Sequence, residues 1–198
     1  MSAIIRYIIN MLPYMLVSIP VYAIARTVYI KSRKLPFNKC REAALLVFVS
    51  FLTGLASQTV IPKFEFGVNG FGIVQSGVHT TNLIPFKVFV QTYNDVFVHG
   101  NINYFLINFL GNIVIFMPIG FFVALLWKVS GKRVVATGFL ISLFIELSQL
   151  FLARGTDVDD LILNTTGTIL GLLIYKAFSK AFSTFSAKFK ASERKAEL

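Results

Sequence analysis

Five apolar runs, at residues 7–30, 42–61, 104–127, 134–152 and 161–178, constrain this chain more than any other feature. A helix crosses the hydrocarbon of a bilayer in about 20 residues, at 1.5 Å each. The first four runs meet that length and the last falls slightly short. Within lipid a backbone must satisfy its own polar groups, and single runs of this length do so as helices. The expected fold is an all-α polytopic membrane protein with about five transmembrane helices. Composition agrees, since 56% of the residues are hydrophobic and only 14% charged, far from a soluble-domain average.

The breaks between the runs set the expected orientation. Lys31, Arg33, Lys34, Lys39 and Arg41 separate the first and second runs. Lys128, Lys132 and Arg133 separate the third and fourth, and Lys176, Lys180, Lys188, Lys190, Arg194 and Lys195 follow the last. The other breaks hold only Lys63, Lys87 and Arg154. By the positive-inside rule the N-terminus is expected outside and the C-terminus in the cytoplasm. The net charge of +10 thus belongs to loops and tail, which argues against nucleic acid as a partner. A single cysteine, Cys40, excludes an intramolecular disulfide. Ala23-Ile24-Ala25 resembles a signal-peptidase site, but the apolar run continues past it and a basic cluster follows, so an uncleaved helix is the favoured reading.

The expected organisation is a first helix and basic loop over 1–41, a membrane domain over 42–178, and a tail over 179–198. An outer segment at 62–103 interrupts the domain. In it Phe64, Phe66 and Val68 alternate, Asn69-Gly70 follows, and Phe71 and Ile73 resume the alternation, which is a hairpin signal. Pro85 prevents a plain helix through Asn82–Phe86. The apolar stretch 86–97 is too short to span, and is expected at the interface or as a re-entrant piece. In the tail, Phe178, Phe182, Phe185 and Phe189 recur at helical spacing among lysines. That pattern predicts a basic amphipathic helix on anionic inner-leaflet lipids, or else a frayed end of the last span.

Polar residues inside the apolar runs are the candidate site. Asn108 and Asn112 share a face of the third span, about 6 and 12 Å from its outer start. Ser142, Glu146 and Gln149 share a face of the fourth, with Glu146 about 9 Å from the outer end. Asn164 lies within about 6 Å of the outer end of the fifth. Arg154, Asp157, Asp159 and Asp160 occupy the turn above. The amides have a bland explanation as bonds between helices. Thr156, Asp157 or Asp159 has one as the cap of the last helix. Glu146 has less of one: an ionisable group at membrane depth costs about 3 kcal/mol unless it faces protein or a wet cavity. Pairing with Arg154 is open, although helical rise separates the two by about 12 Å. Gly167-x-x-x-Gly171 permits close helix approach, and Pro118 with Gly120 suggests a kink in the third span. His79 and His99 have no metal-like spacing.

The motifs Asn82-Leu-Ile-Pro-Phe86, Asn108-Phe-Leu-Gly-Asn112 through Gly120, Ser142-Leu-Phe-Ile-Glu-Leu-Ser-Gln149, Arg154, Asp157-Val-Asp-Asp160 and Asn164-Thr-Thr-Gly167 together resemble the VanZ-like membrane family. The likeness covers roughly residues 42–175 and departs from the usual pattern at Gly155-Thr156. It implies a multi-pass protein of the bacterial cell membrane. The founding member of that family is associated with low-level resistance to teicoplanin and related lipoglycopeptides. Carried over residue by residue, the signature implicates Asn108, Asn112, Glu146, Gln149, Arg154, Asp157, Asp160 and Asn164.

Three functions are expected to compete. A non-enzymatic protein would bind a lipid-linked cell-wall component or the lipoglycopeptide in an outer-leaflet polar pocket, with Arg154 on phosphate or carboxylate. No cofactor is required for that. A membrane enzyme would use Glu146 as general acid or base, with Asp157 and Asp160 holding a divalent cation beside a pyrophosphate. No nucleophile or complete metal set is apparent, which ranks the enzyme second. A lipid transporter would couple protons through Glu146, and the lack of an internal repeat counts against it.

Overall fold

The computed structural model of the protein describes residues 3–62, 64–67, 70–73, 81–102, 105–152 and 155–190. Five of its helices are long and apolar enough to cross a membrane. They are α1 (Ala3–Ser32), α2 (Lys39–Thr59), the composite Phe105–Leu126, α5 (Gly131–Phe151) and α6 (Val158–Ala181). The composite span starts as a π-helix, Phe105–Leu110, and continues as α4, Gly111–Leu126.

Local chemistry sets where these helices begin. Asn38 caps α2 by accepting the Arg41 N–H at 3.2 Å. Asp157 caps α6 by accepting the Asp159 N–H at 2.9 Å. That cap carries α6 back to Val158, so the last span is 24 residues long and not slightly short. The polar first turn hid its start from a reading based on hydropathy. α4 continues through Pro118, and the N-terminal end of the span is π-helical.

α4 and α6 form the central pair, α5 packs on α6, α2 packs on α4, and α1 lies outermost against α2. Glycines let the central backbones meet. A Cβ at Gly171 would overlap the Met117 carbonyl, and one at Gly167 would overlap that of Ile113. The Gly167/Gly171 pair therefore permits the close approach its spacing suggests. The same four-residue step relates Ile113 and Met117, so α4 and α6 run parallel at this contact. The core around them includes Phe116, Ile119, Leu126 and Val134, all essentially inaccessible.

α1 is attached mainly by polar contacts and methionines. Arg26 forms a bidentate ion pair with Glu42, at 2.7 and 2.8 Å. Ser18 donates to Ser50 at 3.2 Å, and Met11 and Met15 pack over Gly54.

The segment between α2 and the composite span holds two small pieces of sheet and a short helix. β1 (Phe64–Gly67) and β2 (Gly70–Ile73) pair antiparallel, as the alternation suggests, with Gly67 opposite Gly70. The turn residues Val68 and Asn69 lie outside the described residues, as do Lys63, His79, Arg154, Arg194 and Lys195. β3 (Thr81–Asn82) pairs in parallel with β4 (Thr156–Asp157) just before α6. α3 (Lys87–Tyr93) follows and continues as a π-helical turn, Asn94–Val98.

The tail differs from a single amphipathic helix. α6 ends at Ala181, Phe182 takes φ −128° and ψ 54°, and α7 covers only Ser183–Ala187. Phe178, Phe182, Phe185 and Phe189 therefore do not share one helical face. They still meet round the bend: Phe178 touches both Phe182 and Phe185, and Phe185 touches Phe189, with ring centroids 5.1–6.2 Å apart. The bend returns the chain to the bundle. Asn38 donates to the Lys188 carbonyl at 2.8 Å, Arg41 donates to the carbonyls of Leu126 and Phe189, and Lys190 Nζ donates to the Ala124 carbonyl at 3.0 Å. Cations at a helix C-terminus face its unpaired carbonyls and favourable dipole, and here they belong to α2 and the tail. These contacts gather the start of α2, the end of α4 and the tail into one basic end of the bundle.

Candidate functional site

The opposite end is carboxylate-rich. It is built where α5 ends, α6 starts and the composite span starts. Successive rungs join α5 and α6. Gly138 lies against the Thr168 side chain. One turn up, Ser142 Oγ accepts from Asn164 Nδ2 at 2.9 Å. One further turn brings Glu146 level with Asp160, close enough for their charges to interact. A step of four residues moves along one face of a helix, so this ladder follows from sequence spacing once the two helices are antiparallel.

Each rung residue has a partner outside the ladder. Glu146, only 5% exposed, accepts the Asp157 backbone N–H through Oε2 at 2.9 Å. A carboxylate at the end of α5 thereby binds the turn that starts α6. Asp157 accepts from Asn82 Nδ2 at 2.8 Å as well as capping α6. Asp160 accepts from Asn112 Nδ2 at 2.5 Å, and the same amide group reaches the Asn108 carbonyl at 3.0 Å.

The structure thus brings Asn112, Glu146, Asp157, Asp160 and Asn164 together. Asn108 is exposed at the rim and contributes its carbonyl. Gln149 lies on the Glu146 face, and its Oε1 is buried without a hydrogen-bond donor. Arg154 lies outside the described residues, and with it the pairing with Glu146 left open above and the expected contact with phosphate.

Asp159 and Asn82 are the structural residues that the motif reading left out of the site. Asp159 is 1% exposed and accepts the backbone N–H groups of Phe86 at 2.5 Å and Val88 at 2.7 Å. These are amides at the unsatisfied start of α3. Asn82 Oδ1 accepts the Ile84 N–H at 3.2 Å, an Asx-turn ahead of Pro85. The signal available in sequence was local: an Asn three residues before a proline, and a third aspartate beyond what a cap needs. What each would bind was not in the sequence.

Three buried oxygens here, Asn164 Oδ1, Gln149 Oε1 and Thr156 Oγ1, make no hydrogen bond among the described residues. Buried polar groups are nearly always paired, so each such atom calls for an explanation. The carboxylates do not form an evident metal site. Among the described residues no group of three or more His, Cys, Asp or Glu could hold a metal ion. Asp157 accepts from Asn82 and Asp159 through one oxygen, Oδ1. Two grooves lie elsewhere. One of about 670 Å³ runs along α1 and α2, lined by residues that include Tyr14, Ser18, Tyr22 and Thr53. One of about 290 Å³ lies beside the tail, lined by residues that include Val47, Phe121 and Phe189.

The VanZ/LLP1 family model matches residues 43–179 of the chain. No curated protein matches it, and no solved structure does. The match excludes α1 and α2's first turn, and includes the whole carboxylate-rich end.

Proposed function

The chain belongs to the VanZ/LLP1 family, a multi-pass bacterial membrane protein of the cell envelope, and on that premise we propose that it binds the headgroup of a lipid-linked envelope component, or a lipoglycopeptide such as teicoplanin, at the carboxylate-rich end of the bundle. In this reading the carboxylate-rich end faces outward and the basic end faces the cytoplasm, in keeping with the positive-inside rule. The observation that carries the reading is the unpaired Oδ1 of Asn164, on a residue 4% exposed, one turn beneath Asp160. Buried polar groups are nearly always paired, so an acceptor left open at this depth supports a role beyond packing.

Binding is favoured over catalysis. The described groups are engaged in holding helices and turns together, and they include no activated nucleophile. Glu146 is the residue of choice for orienting sugar or peptide groups, with Arg154 opposite a phosphate or carboxylate. Bilayer lipid would cover the apolar faces, and anionic inner-leaflet lipids would meet the lysines of the tail.

The test is teicoplanin susceptibility of a sensitive Gram-positive host expressing wild type, Glu146→Gln or Asp160→Asn at matched membrane levels. It is paired with thermal-shift measurements of purified protein against envelope lipids and teicoplanin. Protection and stabilisation by wild type, lost in both variants, are the expected result. Delipidated wild type that no envelope lipid or lipoglycopeptide stabilises would overturn the reading. Release of a product from such a lipid, abolished in Glu146→Gln, would move the protein to the enzymes.

A further inference from the structure

The basic end of the bundle has an apolar groove that the proposed headgroup site does not use. Ala43 and Val47 of α2, Phe121 and Leu125 of α4, Phe178 of α6 and Phe189 of the tail line its volume of about 290 Å³. The tail makes one wall. Arg41 donates to the carbonyls of Leu126 and Phe189, and Lys190 Nζ donates to that of Ala124, which seats Phe189 against the bundle. Along α2, Ala43 lies about 6 Å and Val47 about 12 Å from Lys39. Half the hydrocarbon thickness of a bilayer is about 15 Å. With Lys39 at the membrane surface, the groove thus lies at the depth of an acyl chain in one leaflet.

Charge at the mouth of the groove selects the headgroup. Lys39 is one turn beyond Ala43 on the same face of α2. The Asn38 side chain donates to the Lys188 carbonyl at 2.8 Å, which sets Lys188 of the tail beside the start of α2. Both lysines are exposed. Glu42 is the one acidic side chain at this end among the described residues, and the bidentate bond from Arg26 engages both of its oxygens. Resting on the reading that anionic inner-leaflet lipids meet the tail, we infer that a single anionic phospholipid occupies this groove, with an acyl chain against Val47 and Phe121 and its phosphate between Lys39 and Lys188. A lipid seated there touches α2, α4, α6 and the tail together. Because Phe189 is part of its wall, such a lipid favours the docked tail by linkage.

The experiment uses the full chain in detergent at low salt, with phosphatidylglycerol and phosphatidylcholine of the same acyl chains as probes. Both contain a phosphate, and only the first has a net negative charge. Native mass spectrometry reads the affinity of the first retained lipid, and hydrogen exchange over 182–190 reads the tail. Lys39→Gln and Lys188→Gln test the mouth. Val47→Trp fills the groove from a position that is 55% exposed, and Ala43→Phe replaces it if that variant fails to fold. Phosphatidylglycerol should bind wild type more tightly than phosphatidylcholine and slow exchange in the tail. Each lysine variant should weaken its binding about fivefold. Val47→Trp should weaken it about tenfold, through lost chain burial, and remove the protection of the tail.

A preference for phosphatidylglycerol that the lysine variants lose and both groove-filling variants keep would overturn the inference. The lysines would then read only the charge of the membrane surface, and the reading of anionic lipid at the tail would stand. Equal binding of the two lipids by wild type and every variant would overturn both, and leave only unselective lipid around the bundle.

Discussion

The carboxylate of Asp159 accepts the backbone N–H of Val88 at 2.7 Å, joining positions 71 residues apart. Its other oxygen takes the N–H of Phe86 at 2.5 Å. Phe86 has φ +67°, a left-handed backbone at a bulky residue, which costs about 1 kcal/mol or more. One carboxylate thus holds a strained turn and starts α3 over the first turn of α6. The apolar surface of that segment, with Phe97 75% exposed, is kept at the carboxylate-rich end by this contact and by the Asn82–Asp157 bond.

Asp159→Asn should therefore destabilise the protein. Asparagine presents an N–H where the carboxylate presents an acceptor, so one backbone donor loses its partner. The expected cost is about 2–3 kcal/mol, as for a hydrogen bond to a charged group. Thermal unfolding in detergent measures it, and an unchanged midpoint would show that α3 is held by its apolar contacts alone.

Gly171→Ala should be far more damaging than Gly131→Ala. A Cβ at Gly171 meets the Met117 backbone, whereas one at Gly131 meets the flexible end of Leu172 at 3.3 Å. Separating α4 from α6 to admit a methyl group is an overpacking change of about 1–3 kcal/mol. Fluorescence-detected gel filtration of the variants gives the folded fraction. Equal recovery of the two would contradict the close backbone contact.

Arg26 and Glu42 should be energetically coupled. The pair is bidentate and its side chains are 23% and 12% exposed, a better case than an open surface pair. The expected coupling is about 1 kcal/mol, read from a double-mutant cycle of Arg26→Met, Glu42→Leu and both. Strict additivity of the single effects would mean that α1 is held by its apolar side chains and not by this pair.

Arg41→Ala should loosen the tail. The substitution removes donors from the carbonyls of Leu126 and Phe189. Opening that costs about 1.4 kcal/mol less makes the tail about tenfold more accessible. Trypsin cleavage at Lys188 should accelerate accordingly in detergent-purified protein. If the rate does not change, Asn38 and Lys190 suffice to hold the tail.

The candidate site was partly legible because helical period places residues on faces without further information. Glu146 with Gln149, Asn108 with Asn112, and the aspartates beside a helix start all follow from spacing. Partner identities did not follow. Asn112 binds Asp160, and Asn164 binds Ser142, contacts across helices whose rotations a one-dimensional pattern leaves open. The tail failed for a related reason. A spacing of 4, 3 and 4 among the phenylalanines fits a straight helix, but the bend at Phe182 keeps the rings in tilted and edge-on contact and returns the tail to the bundle, where the Lys188 carbonyl accepts from Asn38 and Lys190 Nζ donates to the Ala124 carbonyl of α4.

Sequence by itself determined the membrane class, the number of spans and the two chemically distinct ends, because hydrocarbon sorts residues by transfer free energy and that sum is local to each segment. Tertiary structure decided which glycines touch, which carboxylate holds a turn and which amide is left open. Those outcomes depend on the relative placement of α4, α5 and α6 to within about the 2.7–3.2 Å of a hydrogen bond. Gly171 against Met117 sets that placement through backbone contact, and the same packing brings the Asn164 amide to Ser142.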